Sequence, residues 1–243
     1  MRYLMTLAYD GSKFYGYQKQ PKVKTVQEEL ERALTMLNNK HVNVSASGRT
    51  DAGVHALNQK AHFDLDIKIT PDKLKQALNS LIDKSIYIKS VEEVDDNFHA
   101  RFNVLKKEYV YKINVGEYNP LEKDYVFQYN KKLNLDDMKR AIKYLEGTHD
   151  FKSFTKANDL KEDYVRTIYQ ADIKCENDII TISFVGSGFL RYMVRNMVGL
   201  LIEIGAGKKD YSCVKDILEA KNRCKAGITA HPEGLYLYNV WYK

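Results

Sequence analysis

Apolar and polar residues alternate through the opening stretch "RYLMTLAY", which stops at Asp10-Gly11, a pair that favours turns. A strand ending in a turn is therefore predicted over 2–9. Thr25 and Glu28 then stand at capping-box spacing, and Val26, Leu30, Ala33, Leu34 and Leu37 fall on one face at helical period. "HVNVSAS" and "NQKAHFDLDI" return to strand character. Pro71 opens a second helix carrying Leu74, Ala77, Leu78 and Leu81, and "SIYIKSVEEV" is the next strand. "HARFNVLKKEYVYKINV" predicts a long strand or bent pair in which Tyr109 and Tyr111, two residues apart, share a face.

The pattern then begins again. Residues 116–130 have loop character and include Pro120, and "NLDDMKRAIKYLEG" is a helix ending near Gly147. "RTIYQADIKCENDIITISFVG" predicts a hairpin turning at Glu176-Asn177-Asp178. Met193, Val194, Met197, Val198, Leu201 and Ile204 form a helical stripe. A short helix around 214–220 and a closing strand "GLYLYNVWY" complete the chain. Strands and helices mix in both halves without strict alternation, which favours α+β over a doubly wound parallel sheet. The two halves have similar element content, and no short-period repeat accompanies it.

Composition adds bounds. With 243 residues, 44% hydrophobic and 29% charged, the chain can bury one large core or two ordinary ones. Thirty-eight Lys and Arg against 32 Asp and Glu give +6, a mild excess that permits an anionic partner without demanding one. Cys175, Cys213 and Cys224 are odd in number and far apart, so neither a disulfide framework nor a thiolate zinc site is expected. The start has too short an apolar stretch for a signal peptide, and no run reaches spanning length. A cytoplasmic location and no membrane association are expected.

The densest chemistry lies in "SASGRTDAGVHA". Asp51 sits there among small residues, with Arg49 two places before it and His55 four places after. Gly48 and Gly53 have phosphate-loop spacing, but Val54-His55 stand where Lys-Ser/Thr would have to be. The six histidines show no metal-ligand spacing, and G-x-S-x-G is absent, which argues against a metal centre and a serine nucleophile. On spacing alone, a simple turn remains open. "YDGSKFYGYQKQ" interleaves Phe14, Tyr15 and Tyr17 with lysines, as stacking on RNA bases would require; partly buried loop aromatics fit equally. Arg191 and Arg195 lie one helical turn apart beside an apolar stripe, where a cation usually needs a partner.

Taken together, "YDGSKFYGYQ", "TVQEELERAL", "GRTDAGVHA", "NFHARF", "KKEYVY", "RYMVRNMVG" and "EGLYLYNVWY" resemble, in order and over essentially the whole chain, tRNA pseudouridine synthases of the TruA type. Three positions depart from the family pattern. Tyr17 stands where many members have Trp, Asn58 where Gly is common, and His231-Pro232 replaces a more usual Pro-Ala-like segment.

The resemblance implies an isomerase that converts uridine to pseudouridine at positions 38, 39 and 40 of the tRNA anticodon stem-loop, without a cofactor or metal. It implies two similar α/β domains, 1–104 and 105–243, with antiparallel sheets around a basic cleft, and a homodimer. It places the catalytic aspartate on Asp51, the active-site tyrosine on Tyr109 and the arginine paired with the aspartate on Arg195. It also implies substrate contacts for Tyr109, Arg49, His55, Arg101 and Leu235. Two rivals remain at this level: an inactive tRNA-binding or folding factor on the same scaffold, and a pseudouridine synthase with other RNA targets. The intact Asp51, Tyr109 and Arg195 set argues against the first.

Overall fold

The computed structural model describes residues 1–156 and 163–242. It divides into two compact units, Met1–Leu105 with Tyr236–Lys243, and Lys106–Leu235.

In the first unit, β1 (Arg2–Tyr9) runs antiparallel between β3 (His55–Asp64) and β4 (Ile86–Val94), with the short β2 (Ser45–Ala46) also on β3. The alternation expected for β1 is not what its burial shows: Tyr3 to Leu7 are all buried. A strand paired on both edges and covered on both faces reads as a continuous run, and even Thr6 is drawn inside. The helices α1 (Val26–Asn38) and α2 (Pro71–Leu81) bury Leu30, Leu34, Leu74 and Leu78. Thr25 caps α1, its side chain accepting the Glu28 amide, and Pro71 lies in the first turn of α2, where a missing N–H costs nothing. The last strand, β10 (Leu235–Tyr242), lies beside β3 and parallel to it, Tyr236 opposite His55.

In the second unit, β5 (Val104–Asn114) and β9 (Ile179–Gly186) are antiparallel, as are β9 and β8 (Val165–Glu176), and β8 and β7 (Gly147–Asp150). The β8–β9 hairpin turns where expected. Asn177 and Asp178 both have positive φ, 49° and 62°, the geometry a two-residue hairpin turn demands. A short β6 (Phe127–Gln128) pairs with β5 in parallel. The helices are α3 (Leu135–Lys143), α4 (Met193–Gly205) and α5 (Cys213–Ala220).

Three expectations need correction. The sheets are mixed and mostly antiparallel, not purely so, because β10 and β6 each pair in parallel with a strand reached by a long connection. The stripe expected on α4 is in fact burial around the whole helix: among its residues, all but Arg195 and Glu203 are buried. The long strand expected from residue 99 begins at Val104, because 99–103 fold as a turn in which the Phe102 and Asn103 amides both donate to the His99 carbonyl.

Candidate functional site

The "GRTDAGVH" stretch forms the loop between β2 and β3. Asp51 is half-buried, between buried Thr50 and an exposed Ala52, and Arg49 is exposed. The loop closes on itself through the Val54 amide, which donates to the Asp51 carbonyl at 3.1 Å. A second strand of contacts comes from the "YDGSKFYGY" segment, where the Tyr17 amide donates to the Thr50 carbonyl at 3.1 Å. That crossing explains Gly16. Its φ is +89°, and a Cβ there would lie 3.0 Å from the Thr50 carbonyl oxygen and 3.3 Å from the Asp51 carbonyl carbon.

His55 is 2% exposed at the start of β3. Its Nδ1 accepts the Gly11 amide at 3.1 Å and lies 3.4 Å from an Asp10 carboxylate oxygen, while its ring stacks on Tyr236 at 4.8 Å. The imidazole thereby ties the Asp10-Gly11 turn, β3 and β10 together.

Polar side chains lie beneath the loop. The Tyr9 hydroxyl and Thr50 Oγ1 are 2.8 Å apart in a buried setting. Gln59, fully buried on β3, accepts from Ser47 Oγ at 2.7 Å and donates to the Gly48 carbonyl at 2.9 Å. Burial pushes the Tyr9 phenol up to about 12, a rise that the polar Thr50 and Gln59 side chains beside it only partly oppose. Tyr9, Thr50 and Gln59 escaped the sequence reading, because nothing in "LNQKAHF" or "LAYDG" distinguishes a buried polar strut from ordinary strand residues.

Arg101 is exposed in the 99–103 turn, its guanidinium 5.8 Å from the Phe102 ring centre, and its amide donates to His99 Nδ1.

In the second unit, Tyr109 is 8% exposed on β5, opposite Phe184 of β9. Phe189 meets its ring edge-on at 5.0 Å. Phe189 belongs to the segment that leads into α4, so it connects Tyr109 to the element carrying Arg195. Tyr111 has a different setting on the same strand: it is fully buried, and its hydroxyl donates to the His231 carbonyl at 2.8 Å.

Arg195 lies in the first turn of α4. Its Nε donates to the Ala230 carbonyl at 2.8 Å, and the Ala230 amide donates back to the Arg195 carbonyl at 3.0 Å. Tyr192, in a left-handed conformation at φ 64°, lies under both the Arg191 and the Arg195 guanidinium, at 5.3 and 5.2 Å. Burial and the Glu233 carboxylate hold the Tyr111 phenol well above its usual range, and the Arg195 charge opposes that rise. Leu235, buried at the start of β10, donates its amide to the Pro232 carbonyl.

Each unit thus assembles its own part: Arg49 and Asp51 on one loop, His55 at the start of the strand that follows it and Arg101 on a separate turn; and Tyr109, Arg195 and Leu235 on a strand, a helix and a strand entry. Among the described residues no group of three or more His, Cys, Asp or Glu side chains is placed to hold a metal ion, and no helix is long and apolar enough to cross a membrane.

Comparison with known proteins bears on the whole chain. A family model described as tRNA pseudouridine synthase matches residues 5–103 and 141–243. The tRNA pseudouridine synthase A of Geobacillus sp. (strain WCH70) is 46% identical over 239 residues, covering 98% of this chain and 96% of that protein. The enzymes of the same name from Bacillus subtilis (strain 168) and Thermosipho melanesiensis are 45% and 42% identical, each over 99% or more of this chain and 99% of their own lengths. Similarity of this extent, running through the Asp51 loop and the Arg195 helix alike, shows that the chain belongs to the tRNA pseudouridine synthase A family.

Proposed function

We propose that this enzyme isomerises uridine to pseudouridine at positions 38, 39 and 40 of the tRNA anticodon stem-loop, with Asp51, Tyr109 and Arg195 as its catalytic residues. The observation that carries the assignment is the loop of Asp51. A single half-buried carboxylate is offered on a segment whose backbone is fixed from Val54, Tyr17, Thr50 and Gln59, while small neighbours leave room for a ribose.

The chemistry needs no more than that. The C1′–N1 glycosidic bond breaks, the uracil turns, and C1′ bonds to C5. The C5 proton leaves and N1 gains one, so atoms and electrons balance without an oxidant, nucleotide or metal. An ionised carboxylate serves by attacking the sugar or by taking a proton from it. A bidentate Arg195 would keep Asp51 ionised and aimed. The guanidinium is oriented by the Ala230 carbonyl and the Tyr192 ring, and its planar fork matches a carboxylate. Tyr109 would stack on the flipped uracil and its hydroxyl would take the C5 proton.

A uridine in the stem must leave its stack, at a cost of a few kcal/mol. Arg49, exposed beside the loop, would fill the vacated space or hold a phosphate, and Arg101 would contact the backbone. His55 and Leu235, both buried, would act on substrate by shaping the wall they belong to. In this reading the two units enclose a basic cleft, the enzyme works in the cytoplasm as a homodimer, and one tRNA touches both subunits. The test is pseudouridine mapping of cellular tRNA with and without the enzyme. Loss of pseudouridine confined to 38–40 is expected; loss at other positions, or in another RNA, would transfer the assignment to a different target.

A further inference from the structure

Asp51 follows directly on a residue whose side chain is tied to the sheet. Thr50 is buried, and its Oγ1 lies 2.8 Å from the buried Tyr9 hydroxyl on β1, a central strand of the first unit. Gln59 on β3 takes the Ser47 hydroxyl and the Lys60 amide through its carbonyl oxygen and donates to the Gly48 carbonyl. The backbone of Thr50 is held as well, its carbonyl accepting the Tyr17 amide at 3.1 Å. Residues 47, 48 and 50 are therefore each tethered to the sheet, next to the half-buried Asp51.

A buried chain of this kind fixes a loop in one position, because every alternative leaves a desolvated hydroxyl or amide without a partner. Stability alone does not call for such an arrangement, since an apolar pair of the same shape would pack in the same place. We infer that Tyr9, Gln59 and Thr50 are positioning residues for the reaction: the Tyr9–Thr50 hydrogen bond, with Gln59 holding residues 47 and 48, sets where the Asp51 carboxylate stands relative to the ribose. This inference rests on Asp51 being the reacting carboxylate.

The test separates geometry from folding. Tyr9→Phe and Thr50→Val each remove one partner and strand the other, so both single variants lose melting temperature. The double variant removes both without changing shape and regains a melting temperature near the parent's. Single-turnover rate and affinity are measured on an unmodified tRNA transcript carrying uridine at position 39. The double variant is expected to bind tRNA within about threefold of the parent yet react at least ~30-fold slower, because a displaced reacting group costs rate out of proportion to binding. Thr50→Ser, which keeps the hydroxyl, should react within about threefold of the parent rate. A stable double variant with parental rate overturns the inference, as does Thr50→Ser slowed as much as Thr50→Val. Asp51→Asn is run alongside. Turnover by that variant removes Asp51 as the reacting group, whereas an inactive Asn variant beside a fast double variant removes only the tether.

Discussion

The hydroxyl of Tyr111 is held by the His231 carbonyl, and the Tyr111 ring packs against Gly234, where a Cβ would meet it at 2.8 Å. Tyr111→Phe should therefore lose about 1 kcal/mol of stability, the usual net worth of such a bond, and keep its single-turnover rate. Tyr109→Phe should do the reverse, with parental melting temperature and tRNA affinity but far slower turnover. A slow Tyr111→Phe beside a fast Tyr109→Phe would exchange the roles. The sequence placed the two rings on one face and could not separate them; the carbonyl partner that does so comes from residue 231, 120 positions away. Tyr17 offers a second prediction at this scale. Its hydroxyl is buried and has no hydrogen-bond partner among the described residues, and burial raises its pKa well above the usual phenol range. Family members with Trp there carry no hydroxyl. An orphaned buried hydroxyl costs ~1–3 kcal/mol, so Tyr17→Phe should raise the melting temperature. A lowered one would mean that the oxygen has a function at the loop it supports. The two other departures have partners: Asn58 donates to the Tyr238 carbonyl and accepts from Lys89, and the His231 ring stacks on Phe127.

Elements were legible wherever their signals were local. The Thr25 cap, Pro71 at the start of α2 and the Asn177-Asp178 turn each act within four residues of themselves, and each appears where the sequence put it. Elements set by distant partners were not legible. The "HVNVSAS" strand shrinks to Ser45–Ala46, and β6 and β7 exist only because β5 and β8 offer them an edge. The 99–103 turn is another such case. His62 on β3 accepts the Ala100 amide at Nδ1 and meets the His99 ring at 4.6 Å. Burial holds the His62 pKa below its ordinary value; the His99 and Arg2 charges add to the fall, and Asp64 opposes it. A folded-state pKa below the unfolded one means that the unfolded chain binds the extra proton first, so stability falls as pH drops through about 6.5. The parent should lose melting temperature between pH 7.5 and 5.5, and His62→Gln should lose less. Equal slopes would show that His62 titrates alike in both states.

For the molecule as a whole, sequence and family likeness carry the identity, and the two units supply what no periodicity contains: a loop tethered from behind, and a core helix that keeps two of its residues unburied, Arg195 and Glu203. Glu203 answers to Lys209 at 2.9 Å, while Arg195 is steered by Ala230 and Tyr192. A net charge of +6 suits a polyanionic substrate but does not choose it. The choice rests on Asp51, and so the most direct test is its single-turnover rate. Asp51→Asn keeps size and most hydrogen bonding and removes the charge. Purified parent enzyme should convert uridines at 38–40 of an unmodified tRNA transcript to pseudouridine, while Asp51→Asn should bind that transcript within a few-fold and form none. Measurable pseudouridine formation by a clean Asp51→Asn preparation would contradict the account.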